Sequence, residues 1–290
     1  MTAAIGFPFA NEPRKGSKIV IDGIFVCADT KVVASDNATS HGSKMALSLT
    51  PGSSRRFIIA NAAEDAHAAT MLAAEISTAL CQPSSTTLES TIKQPMQAWY
   101  SAYSGGRAPS IEFIIGTSVD GVCSLFYASP PNTVLYKSHP FAIGTGARAI
   151  EPLLPTQDAP LWKLESTILR AAYCMYHAKN EEGTYVGGKT DAAVIDREGY
   201  FGFLEHEEME QAEKASQEAD KLFRVLCLGL FSRETLTNQR AFLSDFCRLF
   251  TEASAKATNI KFDSLNLWNK IQKGRPHSKK SAFQKSTGPQ

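Results

Sequence analysis

Residues Gly183 to Thr190, GTYVGGKT, fit the phosphate-loop pattern G-x-x-x-x-G-K-T letter for letter. In that pattern backbone N–H groups and a lysine cradle phosphates. The chemistry needs a strand before the loop and a helix after it, so that a helix N-terminus faces the anion. Here the order reads reversed: helical spacing over Leu161 to His177 precedes the loop, and a strand-like run, Ala192 to Ile195, follows it. Lys189 and Thr190 are therefore expected to open a strand, and nucleotide binding through Gly183 to Thr190 stands as a rival function from another class. Other reactive side chains are dispersed. His41, His67, His139, His177, His206 and His277 form no HExxH-type pair, and no G-x-S-x-G elbow anchors a serine triad. Cys27, Cys81, Cys123, Cys174, Cys227 and Cys247 lie singly in apolar stretches, without zinc spacing or disulfide density. Buried free thiols are expected, with no metal and no cofactor.

The elements that must position any site come in a definite order. From Ile19 to Thr39 two β-rich runs, broken around Asp29 to Lys31, read as a hairpin, and Met45 to Leu49 with Arg56 to Ala62 read as a second one turning through TPGSS. Glu64 and Asp65 open a helix to Leu80 with Ala68, Met71, Leu72, Ile76 and Leu80 on its apolar face, acids at the start suiting the helix dipole. Ser84 to Thr87 supply a loop and cap for a further helix, Thr87 to Tyr103, which Pro95 is expected to kink or divide before Gly105-Gly106 end it. Strands return at Ile111 to Ile115, Val122 to Ala128 and Thr133 to Lys137. Helices follow at Ala147 to Leu154 and Leu161 to His177, then a hairpin over Ala192 to Ile195 and Tyr200 to Leu204. Hairpins alternating with pairs of helices favour antiparallel sheets covered by outer helical layers over βαβ units.

Composition sets outer bounds. A chain of 290 residues can bury one large core and carry an appendage, and a net charge of +1 gives no overall field toward nucleic acid or membrane. No apolar run approaches the roughly 20 residues that span a bilayer, and the first residues hold no basic region followed by a hydrophobic core. The expected compartment is the cytoplasm. Beyond Leu204, Glu205 to Gly229 and Glu234 to Ala257 read as an amphipathic helical hairpin, the first helix acidic in its first half. The end, KGRPHSKKSAFQKSTGPQ, is basic, poor in apolar residues and without interleaved aromatics, which suits a mobile tail better than a nucleic-acid contact. The division expected is 1–204 as the main domain, 205–271 as a helical extension and 272–290 as the tail.

Five blocks carry a family likeness. VVASDNATS, FIIANAAEDAHAATMLAAEI, IEFIIGTSVDGVCSLFYASP, PFAIGTGARAIEPLL and YVGGKTDAAVIDREG resemble, in order, successive passages of proteasome β-subunits and the bacterial HslV peptidase. The resemblance spans roughly residues 17 to 204. It implies an α+β fold, the four-layer α-β-β-α Ntn-hydrolase sandwich with two antiparallel sheets, here with a C-terminal helical extension. It also implies homo-oligomeric assembly, often into rings, and a peptide substrate or unfoldase partner.

In that family an N-terminal threonine supplies the nucleophilic hydroxyl and, through its free amine, the base. The resemblance implies Thr2 for this role after loss of Met1, since TAAIGF is similar to the family's start. Thr2 reaches the site only if the segment through PFANEPRKGSK forms a long hairpin or insertion. Lys44 matches the family's lysine. Its aspartate partner is left open: Asp36 if VVASDNATS sets the register, Asp29 if IDGIFVCAD does, the latter with near-normal spacing to Lys44. Thr145 stands at the serine of the family's GSG turn, and Gly144-Thr145-Gly146 is implied as oxyanion support. Val186 and Gly183 stand where the family carries serine and aspartate. Cys27, inside an apolar strand run, is expected to be packing rather than nucleophile. Two functions remain open on these residues: a self-assembling threonine peptidase, or a catalytically silent subunit of the same fold.

Overall fold

The computed structural model describes residues 2–10, 21–33, 39–48, 55–82, 86–103, 107–155, 161–230 and 236–264. Asp36, the TPGSS turn, Gly105-Gly106 and the 272–290 tail lie outside the described residues. Two five-stranded antiparallel sheets face each other. The first has the order β10-β1-β2-β11-β12, where β1 is Ala4–Phe9, β2 Gly23–Asp29, β10 Phe141–Ile143, β11 Thr190–Asp196 and β12 Phe201–Leu204. The second runs β5-β6-β7-β8-β9: Met45–Ser48, Arg55–Ala63, Ile111–Val119, Val122–Ser129 and Thr133–Lys137. A separate ribbon pairs β3 (Lys31–Val33) with β4 (Thr39–His41).

Strand alternation builds three apolar layers. On β2, Ile24, Val26 and Ala28 point between the sheets, toward Ile58, Ala60 and Ala62 of β6, Ile114 of β7 and Leu125 of β8. Phe25 and Cys27, one residue out of phase, point the other way into a core with Ile168, Ala171, Ala172 and Met175 of α4 (Leu164–Glu181). On the second sheet Phe57, Ile59, Phe113 and Ile115 meet Leu72, Ile76 and Leu80 of α1 (Ala66–Cys81) and Ile92 and Met96 of α2 (Leu88–Ala102). Central strands buried on both faces explain why their sequences read as continuous apolar runs. Each fully buried Phe, Ile or Leu contributes roughly 1.5–3 kcal/mol by area. The result is the expected four-layer α-β-β-α sandwich, helices outside and sheets within.

Some local expectations change. Thr30 does not turn a hairpin: β2 belongs to the first sheet and β3 to the separate ribbon. β2 pairs instead with β1 on one side, Ala4 opposite Ala28 and Phe9 opposite Gly23, so the first residues lie antiparallel beside it, and with β11 on the other. The face of α1 is rotated: Ala69 and Ala73 are buried, whereas Met71 is 51% exposed. Pro95 lies inside α2 without dividing it. After β10 come α3 (Ala147–Ile150) and a 3-10 turn, Glu151–Leu153. The C-terminal helices are α5 (His206–Leu230) and α6 (Leu236–Thr258). Met209 and Ala212 of α5, with Phe262, are built into the α4 core, while no described side chain of α6 is fully buried.

Candidate active site

Asp29, the last residue of β2, is the centre of a buried polar network at one end of the sandwich. The β1–β2 register carries the chain start past it: the Asp29 N–H donates to the Ala3 carbonyl (3.0 Å), and the Ala3 N–H donates to Asp29 Oδ1 (2.9 Å). Oδ1 also receives Lys44 Nζ at 3.0 Å. Oδ2 accepts the N–H groups of Lys31 (3.2 Å) and Gly187 (3.1 Å). Four donors from four chain segments thus hold one carboxylate in place.

Lys44 stands just before β5 in the other sheet. Its carbonyl accepts the Asn61 N–H and the Asn61 Nδ2 amide, both at 3.0 Å, which fixes its backbone to β6. Its ammonium crosses to Asp29 and to the Lys31 carbonyl. Burial lowers the Lys44 pKa from the ordinary lysine value, and the Asp29 carboxylate and then Asp191 oppose that shift without cancelling it. A lysine so placed is a cation less firmly protonated than usual, close to the start of β1.

Thr2 is 2% exposed. Its carbonyl accepts the Gly146 N–H (3.3 Å), and Gly144, at φ +82°, packs against it: a Cβ there would lie 2.2 Å from the Thr2 oxygen. Only glycine tolerates both the backbone conformation and the contact. The Gly144 N–H donates to Glu112 Oε2 (2.9 Å), and Glu112 Oε1 accepts the Tyr127 hydroxyl (3.0 Å). Burial, reinforced by Glu112, pushes the Tyr127 phenol up to about 12. A cavity of about 190 Å³ is lined by Thr2, Ala62, Ala63, Glu64, Ser110, Glu112, Gly144 and Thr145.

The structure therefore brings Thr2, Asp29, Lys44, Thr145 and Gly146 to the same end of the sandwich, and the aspartate beside Lys44 is Asp29. The Gly144-Thr145-Gly146 turn lies against Thr2. Its Gly144 N–H donates to Glu112, and its Gly146 N–H donates to the Thr2 carbonyl and so ties the turn to the chain start. Sequence reasoning missed Asn61, Glu112, Lys31 and the Gly187 N–H. Backbone donors carry no side-chain signature, and Glu112 lies in an otherwise apolar strand where it reads as an outward-facing acid.

Rival chemistries find no geometry. The phosphate-loop pattern follows the end of α4 and runs straight into β11, so the helix that a phosphate loop requires directly after it is missing from the chain order. Its Thr190 hydroxyl donates to Glu213 Oε1 (2.5 Å), and Lys179 Nζ reaches Thr190 Oγ1 (2.8 Å) and both Glu213 oxygens (2.9 and 2.8 Å). Cys27 is fully buried, and that burial raises its thiol pKa far above the ordinary range, which removes the reactive thiolate. Among the described residues no group of three or more His, Cys, Asp or Glu is arranged to hold a metal ion, and no helix is long and apolar enough to cross a membrane.

No family model matches the chain, and no curated protein matches it. Solved structures do. Anbu, described as an ancestral beta-subunit, from Yersinia bercovieri superposes with TM-score 0.60 at 16% identity, covering 81% of this chain and 100% of that one. The Anbu (Gly-1) mutant from Hyphomicrobium sp. strain MC1 gives 0.59 at 16% identity over 76% and 95%. The helical assembly of the Anbu complex from Pseudomonas aeruginosa gives 0.57 at 15% over 81% and 99%. The fold is proteasome-like. At these identities the likeness speaks for the sandwich alone, and about a fifth of this chain lies outside it.

Proposed function

We propose that this chain is a self-assembling, proteasome-like subunit whose Thr2, once the bond to Met1 is cut, acts as an N-terminal threonine peptidase. The observation that carries the proposal is the convergence of the chain start and Lys44 on one carboxylate: Asp29 Oδ1 accepts both the Ala3 N–H and the Lys44 ammonium. A freed Thr2 amine, with an ordinary pKa of about 8, takes the proton of its own hydroxyl. The alkoxide adds to a peptide carbonyl, and the protonated amine returns the proton to the departing amine, leaving an ester that water hydrolyses. The Lys44 ammonium favours the anionic oxygen and the neutral amine, and Asp29 keeps Lys44 on station. Assembly is supported by the likeness to Anbu, one neighbour of which is described as a helical assembly.

A silent subunit is the second reading, and one feature favours it: Val186 is 1% exposed in the apolar core, so no polar side chain from that position reaches the chain start. Intact mass and N-terminal sequencing of the purified protein, with fluorogenic-peptide turnover by wild type and Thr2→Ala and sedimentation to read assembly, separate the two. A free Thr2 and turnover lost in Thr2→Ala are expected. A retained Met1 and no turnover would leave the silent subunit.

A further inference from the structure

We infer that Lys31 is a positioning residue for the Thr2 site: its ammonium ties down the loop that follows α4 and so keeps the Gly187 N–H on Asp29. The inference rests on the peptidase reading above. Residues 182–188 hold one side of Asp29 through a single N–H, that of Gly187 (3.1 Å to Oδ2). Val186 pins the middle of the loop in the apolar core, but Gly183 and Gly187 have no side chains, so the backbone on either side of Val186 depends on other contacts. Its internal bonds, Tyr185 N–H and Val186 N–H to the Glu182 carbonyl (both 2.9 Å), tie it only to the end of α4.

Lys31 supplies ties to the rest of the site. Its Nζ donates to the Gly183 carbonyl at 2.7 Å, and its N–H is shared between the Gly187 carbonyl (3.1 Å) and Asp29 Oδ2 (3.2 Å). Its stem lies over Gly187, where a Cβ would come within 3.2 Å of Lys31 Cδ. Its carbonyl receives the Lys44 ammonium. One residue therefore touches the loop at three points and both members of the Asp29–Lys44 pair. The ammonium also sits just past the C-terminal end of α4, where the helix dipole favours a cation.

Lys31→Met keeps the stem and removes the charge, and Lys31→Arg restores it. In Lys31→Met the Gly187 and Ala3 amides are expected to exchange with deuterium about tenfold faster or more, with core amides of β2 and β7 unchanged. Turnover number is expected to fall about tenfold with KM within twofold, and Lys31→Arg to recover both readouts to within about threefold. Unchanged Gly187 exchange in Lys31→Met, or a loss that Lys31→Arg fails to repair, overturns the inference. Loss of protection spread evenly through both sheets overturns it too, since that marks a merely structural lysine. If wild type shows no turnover, the peptidase reading falls while the exchange experiment still decides the tether.

Discussion

Two lysine–carboxylate pairs, Lys44–Asp29 buried and Lys179–Glu213 half-buried, differ in what else holds them. In Lys179–Glu213 both carboxylate oxygens close on one ammonium, a threonine hydroxyl fills the remaining valence, and every contact runs between side chains of α4, β11 and α5. In Lys44–Asp29 the carboxylate is held by three backbone N–H groups besides the lysine. The first arrangement is a staple: take away one partner and the other is stranded. In the second, the aspartate keeps its place without the lysine, so the lysine's proton is the adjustable element of the pair.

Removing each lysine breaks the comparison open. Lys44→Met is expected to lower turnover at least about a hundredfold, the cost of losing one charge aimed at a developing anion. Its stability cost is expected near 3 kcal/mol, the low end for a broken buried pair, because three donors stay on Asp29. Lys179→Met is expected to cost about 1.5–3 kcal/mol in urea unfolding, the range for charged hydrogen bonds at a half-buried pair, yet hold turnover within about threefold. If Lys179→Met silenced a folded enzyme, the division between staple and site would collapse.

A third carboxylate sharpens the contrast at smaller scale. Asp196 accepts the Tyr200 N–H at 2.7 Å, and its pKa is raised by burial, with Glu198 adding to the effect. A carboxylate raised in the folded state gives stability that is present below its ordinary value of 3.8 and lost as pH climbs through the raised one. Asn keeps the acceptor and drops the charge. Asp196→Asn should melt on the order of 2 °C higher at pH 7, with the gain vanishing below the ordinary carboxylate range. A gain that persists in acid would point to a cause other than desolvation.

The two halves of the site were unequally legible. Lys44 and the spacing to Asp29 were visible because side-chain chemistry leaves letters in a sequence. β1 was not read as a strand, since TAAIGFPF is rich in small residues and contains Pro8. Pro8 is tolerated there because β10 pairs only with Ala4 to Gly6, so the missing N–H falls past the end of that neighbour. Three-residue β10 is too short to show a period. The split between β2 and β3 was misread as a turn because a polar break looks the same whether the chain reverses or passes to another sheet. Helices fared better: α5 and α6 announce themselves by amphipathic spacing, and the face of α1 shifted only because two alanines pack closer than a methionine.

The Gly187 contact has a consequence for synthesis. β1 and β2 leave the ribosome early, but β11, which flanks β2 on its other side, and the donor that completes the Asp29 cradle come much later in the chain. Folding that proceeds from the N-terminus can pair β1 with β2 long before Gly187 has been made. The last donor to Asp29 is thus made long after the strands it completes, and the order of translation sets the order in which the site is assembled.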